Sequence, residues 1–325
     1  MIYLAPICAA LVTLLSLAVI LSSRLGSSVQ DIPNERSLHA KPVPRIGGIG
    51  LMLGLLAGWL LILDALAWWL VLPLAILFLV SLIDDARGLA VRQRLPAQFL
   101  AAAMLVGGCG LFVQQGIAAA LAVLLFTVWM TNLYNFMDGA DGLAGGMAAF
   151  GFTLFAVAAL LARAEGFAML NLAVAAAALG FLCYNFPPAR VFMGDAGSIP
   201  LGFLAAAMGL WGWQQGFWAV WFPLLVFSPF IVDASVTLAK RSLRGMKITE
   251  AHREHYYQRM VRMGWSHRSV ALAEYVLMLA SGTSALLSIK QQFPLWALMS
   301  WGIIYGVLML SIDAAWKKFE RGQHA

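Results

Sequence analysis

An all-α polytopic membrane fold is predicted by the composition, by the length of the apolar runs and by where the basic residues fall. Hydrophobic residues make up 62% of the 325 and charged residues only 11%, whereas soluble domains are about 45–50% apolar. Apolar runs repeatedly reach the ~18 residues that mark a helix able to cross the hydrocarbon core. About eleven transmembrane helices are expected, near 3–21, 46–63, 66–83, 97–112, 117–134, 146–162, 166–183, 199–213, 217–236, 269–288 and 295–313. The first has no basic residues ahead of it and carries Pro6 near its start, so a retained helix is expected rather than a cleaved signal peptide.

The basic residues then orient the bundle. Arg24, Arg36, Lys41 and Arg45, then Arg87, Arg92 and Arg94, Arg190, the run from Lys240 to Arg268, and Lys317, Lys318 and Arg321 all fall on one side. Only Arg163 and Lys290 fall on the other. The positive-inside rule places the rich side in the cytoplasm, the N-terminus in the periplasm and the C-terminus in the cytoplasm. The net charge of +6 is therefore membrane topology, and no nucleic-acid partner is expected. Cys8, Cys109 and Cys183 have neither metal-ligand nor disulfide-framework spacing. A single integral domain, 1–325, is predicted, with loops 22–45, 84–96, 135–145, 184–198 and 237–268 forming its active face.

The loops of the opposite side are short and bland. The polar chemistry lies in "DIPNERSLHAKPVPRIGG", "DDARGLAVRQR", "NLYNFMDGADGLAGG" and "NFPPARVFMGDAGS", and in the segment from Asp233 to Arg268. Taken singly, a carboxylate at a helix end is ordinarily solvated, and Gly and Asn ordinarily mark turns. Glu274 and Asp313 are read that way, and Trp68, Trp69, Trp211, Trp213, Trp218 and Trp221 are read as interfacial anchors. Asp84, Asp85, Asp138, Asp141 and Asp195 are different, because all five sit at the mouths of different spans on one side. Converging acids repel and raise one another's pKa unless a cation neutralises them. All-oxygen ligands suit Mg²⁺, typically beside substrate phosphates. The glycine-rich loops point the same way. "GDAGS" ends on Ser198, expected to cap a helix starting at Ile199, and "DGADGLAGG" precedes a helix near Gly146. Two helix N-termini beside acids and a metal suggest a diphosphate ligand.

At these residues the chain resembles a known family. "HAKPVPRIGGIG", "DDARGL", "NFMDGADGLAGG" and "VFMGDAGSIPLG" occur in the order and spacing of the polyprenyl-phosphate N-acetylhexosamine-1-phosphate transferases, over about 31–268. The resemblance implies an integral membrane enzyme that moves a sugar-1-phosphate from a UDP-N-acetyl sugar to undecaprenyl phosphate in the bacterial inner membrane, with Mg²⁺ as cofactor and Mn²⁺ able to substitute. Membrane lipid and a second copy of the chain in a homodimer are the further partners it implies. It implies catalytic roles for Asp84, Asp85, Asp138 and Asp141 and metal ligation by Asp195 with Asp85. Substrate binding would fall to Asn135, Arg45, His252, Arg253 and His255. Asp233 also matches a family position, to which no role is assigned.

The last basic loop separates branches of that family. "AHREHYYQRMVRMGWSHRSV" lacks the tight histidine triplet of the phospho-MurNAc-pentapeptide transferases and is most similar to the branch that starts O-antigen or related surface polysaccharides. On a helix, His252 and His255 would share one face. The chemistry implied is attack of a lipid phosphate oxygen on the β-phosphorus of the UDP-sugar, with UMP leaving. A phosphate monoester is largely dianionic at neutral pH, its second pKa being near ~6, so Asp84 is expected to position rather than to act as a required base. Two other classes fit less well. A transporter needs polar groups or broken helices near the bilayer midplane, and the Asp-Gly-x-x-Ala-Arg signature of CDP-alcohol phosphotransferases does not follow Asp138 or Asp141.

Overall fold

The computed structural model describes residues 2–23, 29–33, 38, 42–247 and 252–323; Arg24, Arg36, His39, Lys41 and Glu250 lie outside the described residues. Helix α1 (Ala5–Ser22) leads to a two-residue antiparallel ladder, β1 (Gln30–Asp31) with β2 (Val43–Pro44). Then follow α2 (Gly47–Trp59), α3 (Trp68–Arg87), α4 (Val91–Gly108), α5 (Leu111–Phe136), α6 (Leu143–Leu161), α7 (Glu165–Asn185) and α8 (Asp195–Gln214). The chain closes with α9 (Trp221–Val226), α10 (Ser228–Leu243), α11 (Tyr256–Arg262), α12 (His267–Leu287) and α13 (Leu295–Gln323). The fold is all-α and polytopic, and among the described residues nine helical stretches are long and apolar enough to cross a membrane.

The other two expected spans take different forms. The one expected at 97–112 falls on α4, whose first turn carries Arg92 and Arg94. The one expected at 217–236 is divided at Phe227 into α9 and α10. Pro229 stands in the first turn of α10, where its ring and missing N–H prevent α9 from running straight on.

Helix α8 is the axis of the bundle. Of its apolar window 89% is buried, against 11% for α13, so α8 is walled by protein and α13 faces outward. Helices α2, α3, α5 and α6 pack around α8, and α7 packs on α6 and α1. In lipid there is no hydrophobic drive between helices, so close van der Waals fit must hold them together. Small residues supply it. A Cβ on Gly48 of α2 would sit 2.3 Å from the backbone N of Gly197, so α2 and α8 touch backbone to backbone.

Two of the tryptophans expected as interfacial anchors, Trp218 and Trp221, are buried within the protein. Their Nε1 atoms donate to the carbonyls of Gly209 (3.0 Å) and Gln292 (3.1 Å), and Trp69 meets Trp211 edge-on. An indole N–H that finds a buried acceptor can be enclosed at little cost. Trp68 does face outward.

Candidate active site

The end of α3 is fastened to the start of α8 by Asp85. Its Oδ1 accepts from the backbone N–H of Asp195 at 3.0 Å and its Oδ2 from that of Ala196 at 2.8 Å. Helix α8 therefore begins at Asp195, preceded by Gly194 at φ 71°, where a Cβ would meet Asp85 Oδ2 at 2.7 Å. This revises the helix-terminus argument. Ser198 lies inside the first turn of α8, and its hydroxyl is shared between the Gly194 carbonyl (3.0 Å) and Asn135 Oδ1 (2.9 Å). The anion at the N-terminus of α8 is the protein's own Asp85.

Arg45 and Arg94 bind the acids together. Asp195 accepts from Arg45 Nη2 at 2.5 Å and from Arg94 Nη1 at 2.9 Å. Arg45 Nε also reaches Asp85 (3.2 Å), and Arg94 Nη1 also reaches Asp84 (2.8 Å), whose other oxygen accepts from Leu89 N. Arg45 is placed by backbone pairing: Phe192 N donates to Pro44 O, while Gly47 N and Gly48 N donate to Phe192 O and Met193 O. "VPRIGG" thus lies along "VFMGD".

Asp138 joins this group, and Asp141 does not. Burial pushes the Asp138 carboxyl well above the usual range; Arg45 opposes this, and the charges of Asp195 and Asp85 reinforce it. Burial works against the charge of Arg45, yet Asp195 and Asp85 more than compensate and raise its pKa. Asp141 turns the other way. Its Oδ2 accepts from Ala189 N at 2.9 Å and its Oδ1 faces His267 Nδ1 at 3.1 Å. Residues 138–142 form a turn and not a helix, so the three-residue spacing sends the two carboxylates apart. Asp141 knits three segments together beside Asn185, whose Oδ1 accepts from Gly142 N and whose Nδ2 donates to Val191 O.

The histidine loop closes the other side. His252 and His255 precede α11 and do not share a face of it, but their ring centroids still lie 4.9 Å apart. Burial, with His255 and Arg241 nearby, lowers the His252 pKa to about 4. Asp313, expected to be merely solvated, binds Lys240 (2.5 Å) and Arg259 (2.8 Å) and holds α11 to α13. Between this loop and helices α4 and α5 lies a cavity of about 510 Å³. Its polar lining is Arg94, Gln98, Asn132, His252, His255 and Gln258, and its apolar wall includes Leu95, Leu125, Val128 and Trp129. Arg253 is not part of this lining; its carbonyl accepts from Arg262 Nη1.

Four carboxyl groups (Asp84, Asp85, Asp138 and Asp195) face two guanidinium groups, a formal surplus of negative charge even with Asp138, whose pKa burial raises, held neutral. An all-oxygen donor set of that charge fits a hard divalent cation. Among the described residues, no three His, Cys, Asp or Glu side chains stand close enough to form a ready-made cation site. Arg45 and Arg94 lie between the acids instead. Arg94 and His267 had no site role on sequence grounds, and Asp233 was matched to a family position without a role. Arg94 was legible only as a topology charge, and nothing in spacing alone joins it to Asp195, 101 residues away.

Residues 67–212 match the model of glycosyl transferase family 4. The chain is 30% identical over 264 residues to a probable undecaprenyl-phosphate N-acetylglucosaminyl 1-phosphate transferase of Bacillus subtilis, covering 76% of this chain and 74% of the relative. It is 32% identical over 292 residues to a decaprenyl-phosphate N-acetylglucosaminephosphotransferase of Mycobacterium leprae, covering 75% and 73%. A phospho-N-acetylmuramoyl-pentapeptide-transferase of Staphylococcus saprophyticus is 25% identical over 316 residues, covering 87% and 97%. A helical membrane bundle with this charged end, related over most of its length to such enzymes, is a membrane-embedded transferase. The chain belongs to glycosyl transferase family 4, among the polyprenyl-phosphate N-acetylhexosamine-1-phosphate transferases.

Proposed function

We propose that the protein transfers an N-acetylhexosamine 1-phosphate from a UDP-sugar to undecaprenyl phosphate, releasing UMP. On this reading it starts an O-antigen or another surface polysaccharide at the cytoplasmic face of a bacterial inner membrane. The observation that carries the reading is the cavity at Arg94, where an apolar wall meets a charged end. A polyprenyl phosphate has that same division, an apolar chain ending in a dianion. The relatives' names favour N-acetylglucosamine as the sugar, because those that carry it match at 30–32% identity over about three quarters of both chains, whereas muramoyl-pentapeptide relatives match at 31% over only 53% or at 25% over most of their length.

The chain's own residues supply binding and orientation. Arg94 reaches from the acid cluster to the cavity and takes the lipid phosphate, for which a guanidinium fork is suited. Asp84 fixes that guanidinium and need not remove a proton, because the nucleophile is already largely dianionic. Arg45, held by Asp85 and Asp195, faces the diphosphate. His252 and His255 contact the sugar or nucleotide from the far side of the cavity. Asp195 and Asp85 would hold Mg²⁺, or Mn²⁺ in its place, and the ion supplies neutralisation of the diphosphate and of the departing UMP. Phosphoryl transfer of this kind is mostly positioning and electrostatics.

The test uses purified protein with undecaprenyl phosphate and, separately, UDP-GlcNAc, UDP-GalNAc and UDP-MurNAc-pentapeptide, with UMP release measured. Release with an N-acetylhexosamine donor, abolished by EDTA and restored by Mg²⁺, is expected. Release only with the pentapeptide donor would move the protein to peptidoglycan synthesis. No release with any donor would end the transferase proposal.

A further inference from the structure

Asp233 is buried on α10, and no step of the proposed reaction uses it. Its oxygens are nonetheless fully engaged. Oδ1 accepts from Tyr256 N (3.0 Å) and Thr237 Oγ1 (3.1 Å) and faces His255 Nδ1 (3.2 Å), while Oδ2 accepts from Tyr257 N at 3.1 Å. Tyr256 and Tyr257 are the first two residues of α11, a seven-residue helix. A helix that short has no stability of its own in isolation, so its place depends on what it is tied to. Tyr257 Oη ties it to the Phe136 carbonyl and Arg259 ties it to Asp313. The N-terminal end, where the histidines are, is held both by Glu254, which pairs with Arg241 of α10 and with Arg244, and by Asp233, which binds His255 and the first two N–H groups of α11.

We propose that Asp233 is a positioning residue for substrate binding: it hangs the 252–262 segment on α10 and sets His255 in one tautomer facing the cavity. The donor at 3.2 Å from the carboxylate is Nδ1–H, which in the neutral ring makes Nε2 the acceptor. Such an acceptor suits a hydroxyl or amide N–H of the sugar. Because its oxygens are taken by four donors of its own chain, Asp233 acts through His255 and does not touch substrate. The kinetic half of this proposal rests on the transferase reading; the structural half does not.

Asp233→Asn tests it with full-length protein in lipid nanodiscs. The amide keeps the size but turns an N–H₂ towards one of the two helix N–H groups, donor against donor. Hydrogen exchange in peptides covering Tyr256 and Tyr257 should quicken by about tenfold or more, the scale of one buried hydrogen bond lost. Peptides covering Asp84–Arg94 and Asp195–Ser198 should be unchanged. With UDP-GlcNAc and undecaprenyl phosphate, KM for the nucleotide sugar should rise by roughly tenfold while kcat stays within about threefold, because the histidines line the cavity and not the acid cluster. Asp233→Glu should recover part of the KM, and the Asp233→Asn and His255→Ala effects should be strongly non-additive. Unchanged exchange at Tyr256 and Tyr257 refutes the tie. Faster exchange with unchanged KM, or a fall in kcat alone, refutes the positioning role. Should Asp233→Asn fail to fold, Thr237→Val removes one donor from the same carboxylate and faces the same criteria at smaller amplitude. If the wild type releases no UMP, the transferase reading fails while the exchange data still decide the tie.

Discussion

Replacing Asp195 by Asn removes one negative charge from the centre of the ion-pair cluster while keeping its shape. The wild-type carboxylate is 5% exposed and accepts from Arg45 at 2.5 Å and Arg94 at 2.9 Å. Charge-assisted hydrogen bonds of this kind contribute about 1.5–3 kcal/mol each when well buried. The two arginine side chains are 36% and 30% exposed, so solvent screens the pair and the lower end applies. Neither guanidinium is orphaned, because Arg45 keeps Asp85 and Arg94 keeps Asp84. A stability loss of only about 1–2 kcal/mol follows. The rate should suffer more, on the order of 10²–10³-fold, the effect of removing one preorganised transition-state stabiliser. The assay pairs thermal unfolding in nanodiscs with UMP release at saturating and limiting Mg²⁺. An Asn variant with near-normal turnover at limiting Mg²⁺ would refute the reasoning, and so would a rate loss no larger than the folded fraction explains.

Three further outcomes are expected. The His252 pKa is depressed from 6.5 to about 4, so its contribution to stability is present above the unfolded value and is lost as pH falls through 6.5 towards 4; His252→Gln should lessen that loss, read as apparent melting temperature across that window. Gly48→Ala puts a methyl 2.3 Å from Gly197 N; separating α2 from α8 should cost about 1–3 kcal/mol, and a variant as heat-stable as the wild type would contradict the close crossing. In a background without Cys8, Cys109 and Cys183, cysteines replacing Arg92 and Arg253 should react with an impermeant thiol reagent only once the inner leaflet is opened. A cysteine replacing Lys290 should react in spheroplasts, and the reverse pattern would place the acids away from cytoplasmic nucleotide sugars.

Much of the site was legible because its motifs are local. "DDARGL" and "VFMGDAGS" each put their acids at a helix end, and the structure joins Asp84, Asp85 and Asp195 through arginines. Asp141 shows where such reading stops. Its residue type and spacing match those of Asp138, but a turn at 138–142 sends it to Ala189 and His267 instead. The start of α8 was misplaced by four residues for a similar reason. Ser198 is a good local cap, but Asp85, from another helix, satisfies the N–H groups of Asp195 and Ala196.

By itself the sequence determined the all-α membrane class, the polar side on which the chemistry gathers and the family motifs. Those properties follow from apolar run length and from short segments in which neighbours along the chain are neighbours in space. Only the tertiary structure decided that Arg94 bridges Asp84 and Asp195, that the span at 217–236 breaks at Phe227, and that Asp233 carries the histidine segment. Each of these depends on a partner brought in by helix packing from elsewhere in the chain or, at Phe227, on backbone geometry that hydropathy does not encode. A carboxylate has the same letter whether it meets water, an arginine or the end of a helix, and packing decides which.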